Sequence, residues 1–492
     1  MLYSLFTHFN NFPGARLFTY ISFRAIIAGV LALCISVWFG KWFIYWMKRH
    51  QFFEKLREEE EKNGKKKGED ENKVDDKNEE KGFIHWMKKG FEKLCGEEKK
   101  KDEKKEEDEK KGRKKNVKMK RREKNIKKHV PTMGGFVVIV AVLVPCLLLG
   151  KLSNIYMILL LVTTVLMGAL GFADDYVKTI KGDKEGIKPC MKLAGQVTLG
   201  LIVGLTLRFS PAVTMNEVVT SRIENNVVVV DKSPEIKSTQ TTIPFVKHHN
   251  FNYADLFSWL GEKNMYRAGW IFFVLLTALV VAALSNGANL NDGMDGMCAG
   301  NSAIIAVALL LLAYMSGNVV LTEYFDVMYI PGSEELVVFL ASFVGALVGY
   351  LWWNGFPAQV FLGDTGSLTI GGIIGVSAMV IHKELMMPLL CGVFLVESIS
   401  VIIQRGVYKF YKKRGRHVRI WRKAPIHDHF CTTVAQMKKR DPTSTCFFSD
   451  DSRIILGFNK EPDKKLEPKI VLRFCIITLI LAALTILTLK IR

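Results

Sequence analysis

The chain has no CxxC pair among its nine cysteines. Neither a zinc ribbon nor a disulfide framework is therefore expected. Cys34, Cys146, Cys298, Cys391 and Cys475 fall in apolar runs, where the thiol behaves as a small hydrophobe. There is no GxxxxGK[ST] loop, so ATP hydrolysis is not indicated. A calcium loop of EF-hand type also fails, because position twelve counted from Asn291 is Ser302 and not a glutamate. The start of the chain lacks a short apolar segment with a small-residue cleavage site, so no cleaved signal peptide is expected. Acidic residues are outnumbered, 48 to 68, leaving a formal charge of +20. That excess sits in loops, which points to membrane orientation and anionic partners; nucleic acid is not among the partners.

What the chain has is long apolar runs. Ten read as membrane spans: 20–46, 133–150, 154–172, 192–208, 268–285, 297–315, 336–354, 366–382, 386–404 and 469–490. Segment 405–423 carries Arg405, Lys409, Lys412, Lys413, Arg414, Arg416, Arg419, Arg422 and Lys423 with no acid among them. By the lysine and arginine bias, that loop and the others of its parity (47–132, 173–191, 286–296, 355–365) are cytoplasmic, and both termini are extracytoplasmic. The expected fold is an all-α integral membrane protein. It has an N-terminus and first helix (1–49), a charged low-complexity cytoplasmic insert (50–130), helices two to four (131–208) and an extracytoplasmic loop (209–267). Helices five to nine (268–404), a basic cytoplasmic loop (405–468) and a last helix (469–492) follow. Val227–Val230 and Thr241–Phe245 are expected as short strands, and 436–468 as a loop.

The insert contains a repeat. Phe43-Ile44-Tyr45-Trp46-Met47-Lys48 recurs as Phe83-Ile84-His85-Trp86-Met87-Lys88. In the second copy Phe83, Trp86, Met87 and Leu94 share one helical face, so 83–94 is expected as an interfacial helix on the inner leaflet, against the plainer reading of a duplicated scrap without a role.

The polar motifs crowd onto one side of the membrane. Asp364 stands between Gly363 and Gly366 at the mouth of a span. A carboxylate is costly there unless water, a cation or a partner meets it. Asp174 and Asp175 end the third span, with Lys178 one turn on. Two negative charges at a helix C-terminus oppose the macrodipole and call for a compensating cation; the plain alternative is a solvated helix end. Asn289-Leu290-Asn291-Asp292-Gly293-Met294-Asp295-Gly296 follows the fifth span and is either a ligand face carrying Asp292 and Asp295 or an Asn/Asp/Gly turn. Pro131-Thr132-Met133-Gly134-Gly135 opens the second span behind Lys127. His427 and His429 follow the basic run; no further ligands at zinc spacing accompany them. Carboxylates able to hold a hard divalent cation, together with lysines, arginines and histidines, suit phosphoryl transfer, and a site at the membrane's edge suits a lipid phosphate as one substrate.

These motifs resemble the polyprenyl-phosphate N-acetylhexosamine-1-phosphate transferase superfamily, and within it most closely the phospho-N-acetylmuramoyl-pentapeptide transferase family. PTMGG at 131–135, GFADD at 171–175, the 289–296 motif, Asn354, FLGDTGS at 361–367 and APIH at 424–427 carry the likeness, in order along the chain. The resemblance implies a ten-helix, magnesium-dependent enzyme in the bacterial inner membrane with a cytoplasmic site. Such an enzyme moves phospho-MurNAc-pentapeptide from UDP-MurNAc-pentapeptide to undecaprenyl phosphate, giving lipid I and UMP. It implies Asp364 as magnesium ligand, Asp174 and Asp175 as catalytic, and Lys178 among the substrate-binding residues. It further implies Asn289, Asp292, Asp295 and Asn354 as nucleotide-sugar contacts, Lys127 and Thr132 in the nucleoside pocket, and His427 and His429 near the diphosphate. Membrane lipid and a second copy of the chain are partners compatible with it. In that family the ninth helix is broken beside a lipid groove, an expectation carried here to 386–411. Rival readings are the UDP-GlcNAc-using sister branch and, from another class, a transporter or flippase. Asp428 breaks the family's histidine run, and Cys431 replaces the usual glutamate.

Overall fold

The computed structural model describes residues 15–50, 130–448 and 466–490, apart from 180, 182, 184, 185, 217, 218, 225, 226, 246–249 and 433. The chain divides into two units, 1–50 with 131–492, and 51–130. Lys127 and the 83–94 segment lie outside the described residues.

Every run expected as a span is helical. The elements are α1 (Ile21–Arg49), α2 (Gly135–Leu149), α3 (Ile155–Thr179), α4 (Pro189–Phe209), then β1 (Val219–Glu224), β2 (Val227–Lys232), β3 (Gln240–Thr242) and β4 (Asn250–Asn252). They continue as α5 (Glu262–Asn291), α6 (Met297–Ser316), α7 (Val319–Phe325), α8 (Glu334–Asn354), α9 (Gly363–Val380) and α10 (Gly392–Lys412). The last are β5 (Val418–Arg419), α11 (Ile426–Cys431), α12 (Val434–Arg440), β6 (Thr445–Cys446) and α13 (Leu466–Thr488). Among the described residues seven helices are long and apolar enough to cross a membrane (α1, α3, α4, α5, α6, α8 and α13), or eight with a bent pair. The chain is a mostly helical, multi-pass membrane protein.

The bent pair corrects one expectation and meets another. Residues 386–404 read as one straight span, but Glu384–Leu390 and α10 meet at 78°. This is the broken helix that the family resemblance implied for 386–411. Between the arms, Cys391 leaves helical geometry at φ −95, ψ 27.

The loop regions also differ from expectation. The hairpin β1–β2 spans Val219 to Lys232, with Val219 opposite Lys232, wider than the expected Val227–Val230. β3 pairs antiparallel with β4 but stops at Thr242, and Phe245 takes a left-handed φ of 66, which ends any extended run there. The 436–468 stretch is not wholly loop: α12 reaches Arg440, and β6 pairs in parallel with β5.

α9 is the axis of the bundle. Every residue from Thr365 to Val380 is buried, as suits a helix that is apolar on all sides. It packs between α3 and α5; α8 packs on α1 and α6, α4 on α5, and α13 on α6. Because α9 is central, its first turn lies where several helix ends meet. That turn carries Asp364.

Candidate active site

Three backbone hydrogen bonds join two segments at the start of α9. Phe361 N donates to Pro131 O at 2.9 Å, Gly134 N to Phe361 O at 2.8 Å, and Gly135 N to Leu362 O at 2.9 Å. The PTMGG motif is thus stapled to the FLGD motif, and buried Thr132 lies beside Gly363. Gly363 turns the chain into the helix at φ +71, a conformation that favours glycine. Gly171 lets α3 approach so closely that a Cβ there would strike the Asp364 carbonyl.

Asp175 holds this start in place. Its carboxylate accepts from Asp364 N at 3.1 Å, Thr365 N at 2.9 Å and Thr365 Oγ1 at 2.6 Å. The two amides stand at the start of α9, where they have no partner within the helix, and a carboxylate there also meets the positive end of the dipole. Asp175, expected as catalytic, also caps α9 in this structure and fixes Asp364.

Asp174 points the other way, as adjacent residues on a helix do. It is buried, with Oδ1 accepting from Ile187 N at 2.7 Å. Lys178 Nζ lies 2.7 Å from Asp174 and 3.1 Å from Asp364. Lys192 Nζ, from the first turn of α4, lies 2.7 Å from each. Two carboxylates and two ammoniums thus form a closed ring of four contacts. Sequence reading missed Lys192, because a lysine at the start of a span reads as an ordinary interfacial anchor. Its only sequence signal was one more cation on the side where the acids cluster.

The acidic motif after α5 is a turn, not a helical face. Asp295 is buried and accepts from Ala358 N at 3.1 Å. Asn354 donates to Val360 O at 2.9 Å and accepts from Gly296 N at 3.1 Å. Both therefore tie the turn to the segment leading into Asp364. Burial raises the Asp292 carboxyl well above the carboxylate range, and Asp364, Asp175 and Asp295 add to the effect, which places Asp292 in the same electrostatic neighbourhood. Asn289 lines the groove described below.

The basic loop brings one histidine to this turn. His427 is buried with Nε2 seated where a Cβ on Gly293 would fall. His429 is also buried, but its Nδ1 accepts from Arg422 N at 3.2 Å, so that nitrogen serves the loop's own fold. Asp428 is paired with Lys423 at 2.6 Å. The extra negative charge is thus met by a cation from the same loop.

A groove of about 740 Å³ runs from Lys178, Lys192 and Asp364 past Leu284 and Ile402 to Glu384 at the bend. Its head is charged and its walls are mainly apolar.

The residues fit a divalent cation. Carboxylate oxygens of Asp174, Asp175 and Asp364 lie within 4.8 Å of one another. An all-oxygen donor set suits magnesium. Asp175 already accepts three hydrogen bonds, which leaves Asp364, at the groove, and Asp174 as the ligands to be expected. Both carboxylates are already drawing cations, in the form of two ammoniums, into the space between them.

Residues 157–382 match the family model described as glycosyl transferase family 4. Over 496 aligned residues, covering all of both chains, the chain is 48% identical to the phospho-N-acetylmuramoyl-pentapeptide-transferase of Phocaeicola vulgatus. It is 47% identical to that of Bacteroides thetaiotaomicron, again over the whole of both chains. The Flavobacterium johnsoniae protein of the same name is 40% identical over 501 residues, all of each chain. With identity of this level along its entire length, the chain belongs to the phospho-N-acetylmuramoyl-pentapeptide transferase family.

Proposed function

We propose that this chain transfers phospho-MurNAc-pentapeptide from UDP-MurNAc-pentapeptide to undecaprenyl phosphate, giving lipid I and UMP. The observation that carries the reading is the pair of lysines shared by Asp174 and Asp364 at the head of a mainly apolar groove. A polyprenyl phosphate has the same division, a dianionic head on an apolar tail. Ammonium groups held between two carboxylates can turn to an incoming phosphate without being newly desolvated.

In this reading a lipid phosphate oxygen attacks the sugar-proximal phosphorus of the donor. The new P–O bond forms as the bond to UMP breaks, and UMP leaves with the electron pair. Lys178 and Lys192 orient the attacking phosphate, and most of the catalysis is placement and charge neutralisation. Asp175 keeps Asp364 at the groove mouth. The 292–296 turn, backed by Asn354 and met by His427, receives the donor. Magnesium held by Asp364 and Asp174, when bound, supplies neutralisation of charge on the diphosphate. The basic run 405–423 supports a cytoplasmic position for this face in the bacterial inner membrane, and the reading carries ten spans with both termini outside.

The test is UMP release by the purified protein given UDP-MurNAc-pentapeptide and undecaprenyl phosphate, with and without magnesium. Release that requires both substrates and the metal is expected. Release with UDP-GlcNAc alone as donor would move the chain to the sister branch, and release without added metal in chelator would remove magnesium from the reading.

A further inference from the structure

α10 presents two faces with different neighbours. Leu395, Ser398, Ile399 and Ile402 recur at helical spacing and line the groove. Glu397, Ser400 and Gln404 recur at the same spacing on the buried side. From there two side chains hold the basic loop. Gln404 accepts from Ile420 N and Trp421 N at 3.1 Å each and donates to Trp421 O at 3.1 Å. Glu397, fully buried, accepts from His427 N at 3.3 Å and lies 3.1 Å from His427 Nδ1.

The second contact fixes more than position. The carboxylate that accepts from the His427 amide also sits beside Nδ1, an arrangement that favours the tautomer with the proton on Nδ1. Nε2 is then the ring's working nitrogen. It faces the Asp292–Gly293 turn, in the space that the missing Cβ of Gly293 leaves open. A carboxylate behind an imidazole sets tautomer and ring orientation and stabilises the imidazolium, as in a catalytic triad. None of the site residues named from sequence includes Glu397, because a glutamate inside an amphipathic helix reads only as its polar face.

We propose that Glu397 is the positioning residue of His427: it fixes the imidazole with Nε2 toward the donor-binding turn, from the helix whose other face walls the acceptor groove. The proposal rests on the donor site assigned above.

The experiment compares Glu397→Gln, Glu397→Ala, His427→Ala, the Glu397→Ala/His427→Ala pair and Gln404→Ala. Steady-state UMP release is measured with each substrate varied in turn. Both Glu397 variants should lower kcat/KM for UDP-MurNAc-pentapeptide by about 10- to 100-fold, the range seen when a group orienting a functional histidine is removed. The KM for undecaprenyl phosphate should stay put. Gln is the milder change, since its carbonyl can still accept from Nδ1, and it also covers the case in which the Ala variant does not fold. The double variant should be no worse than His427→Ala, the mark of two groups acting as one. Gln404→Ala loosens the same loop on the same helix without touching the histidine and should cost much less. Equal losses in Glu397→Ala and Gln404→Ala, a rise confined to the acceptor KM, or additive losses in the double variant would overturn the proposal and leave Glu397 a structural clamp. Absence of wild-type turnover with this donor would instead overturn the transferase reading, and the proposal with it.

Discussion

Two ionic clusters, one buried and one partly open, stand at opposite ends of the bundle, and they are built on different plans. At one end Arg24, from the start of α1, meets Glu335, from the start of α8, through a two-pronged contact: Nη1 to Oε2 at 2.9 Å and Nη2 to Oε1 at 2.6 Å. Arg24 Nη1 also donates to Leu149 O at 3.3 Å, and Lys151 N donates to Glu335 Oε2 at 3.2 Å. Arginine's planar fork suits such a fixed one-to-one match. At the other end Asp174, Asp364, Lys178 and Lys192 share four contacts with no pair exclusive. Lysine is a compact charge on a flexible stem, and each ammonium can swing between partners. The first cluster is closed on itself and joins helices. The second opens on the groove, which Lys178, Lys192 and Asp364 line. Burial of charge alone does not separate structure from function in this protein; the sharing of partners and the opening do.

Substitutions at the two ends should separate these roles. The largest effect is expected from Asp364→Asn, which should lower UMP release by about 1,000-fold, the upper end of the scale on which a single charge-stabilising group acts. Lys192→Met should follow at about 100-fold, with both variants as resistant to thermal aggregation in detergent as the wild type. If Lys192→Met left turnover intact, the shared-lysine reading of the groove head would be lost. Arg24→Met reverses the pattern. It strands the Glu335 carboxylate, which should cost about 3–5 kcal/mol of stability. Turnover per folded molecule should hold, and adding Glu335→Gln should recover part of the loss; a thermal-shift series reads both. The smallest effect is expected at Asp428, whose partly exposed pair with Lys423 is worth about 1 kcal/mol or less. Asp428→His should retain or slightly raise turnover, and a large loss in the same assay would give Asp428 a role of its own.

The helices were legible because the solvent that selects them is simple. Hydrocarbon demands apolar runs with internally bonded backbone, and among the described residues seven helices, or eight with the bent pair, meet it. Asp174 and Asp364 were legible for the converse reason, since a carboxylate at the mouth of such a run needs an explanation. The break after Leu390 was not visible in the apolar pattern, because both arms are apolar and only their 78° angle distinguishes them from one span. It entered the reading through the family motifs alone.

What sequence alone determined here is the membrane class, the helical runs and the identity of most polar residues at the site, each dictated locally by burial cost or by a motif. What tertiary structure alone decided is the division of labour among those residues. Asp175 and Asp174 are neighbours in the chain, yet one caps α9 and the other shares lysines at the groove. Lys192 acquires its role only because α4 starts beside the ends of α3 and α9, and Glu397 acquires its contact only because α10 backs onto a loop thirty residues on. Such roles depend on hydrogen-bond geometry between elements distant in sequence, and neither composition nor periodicity encodes it.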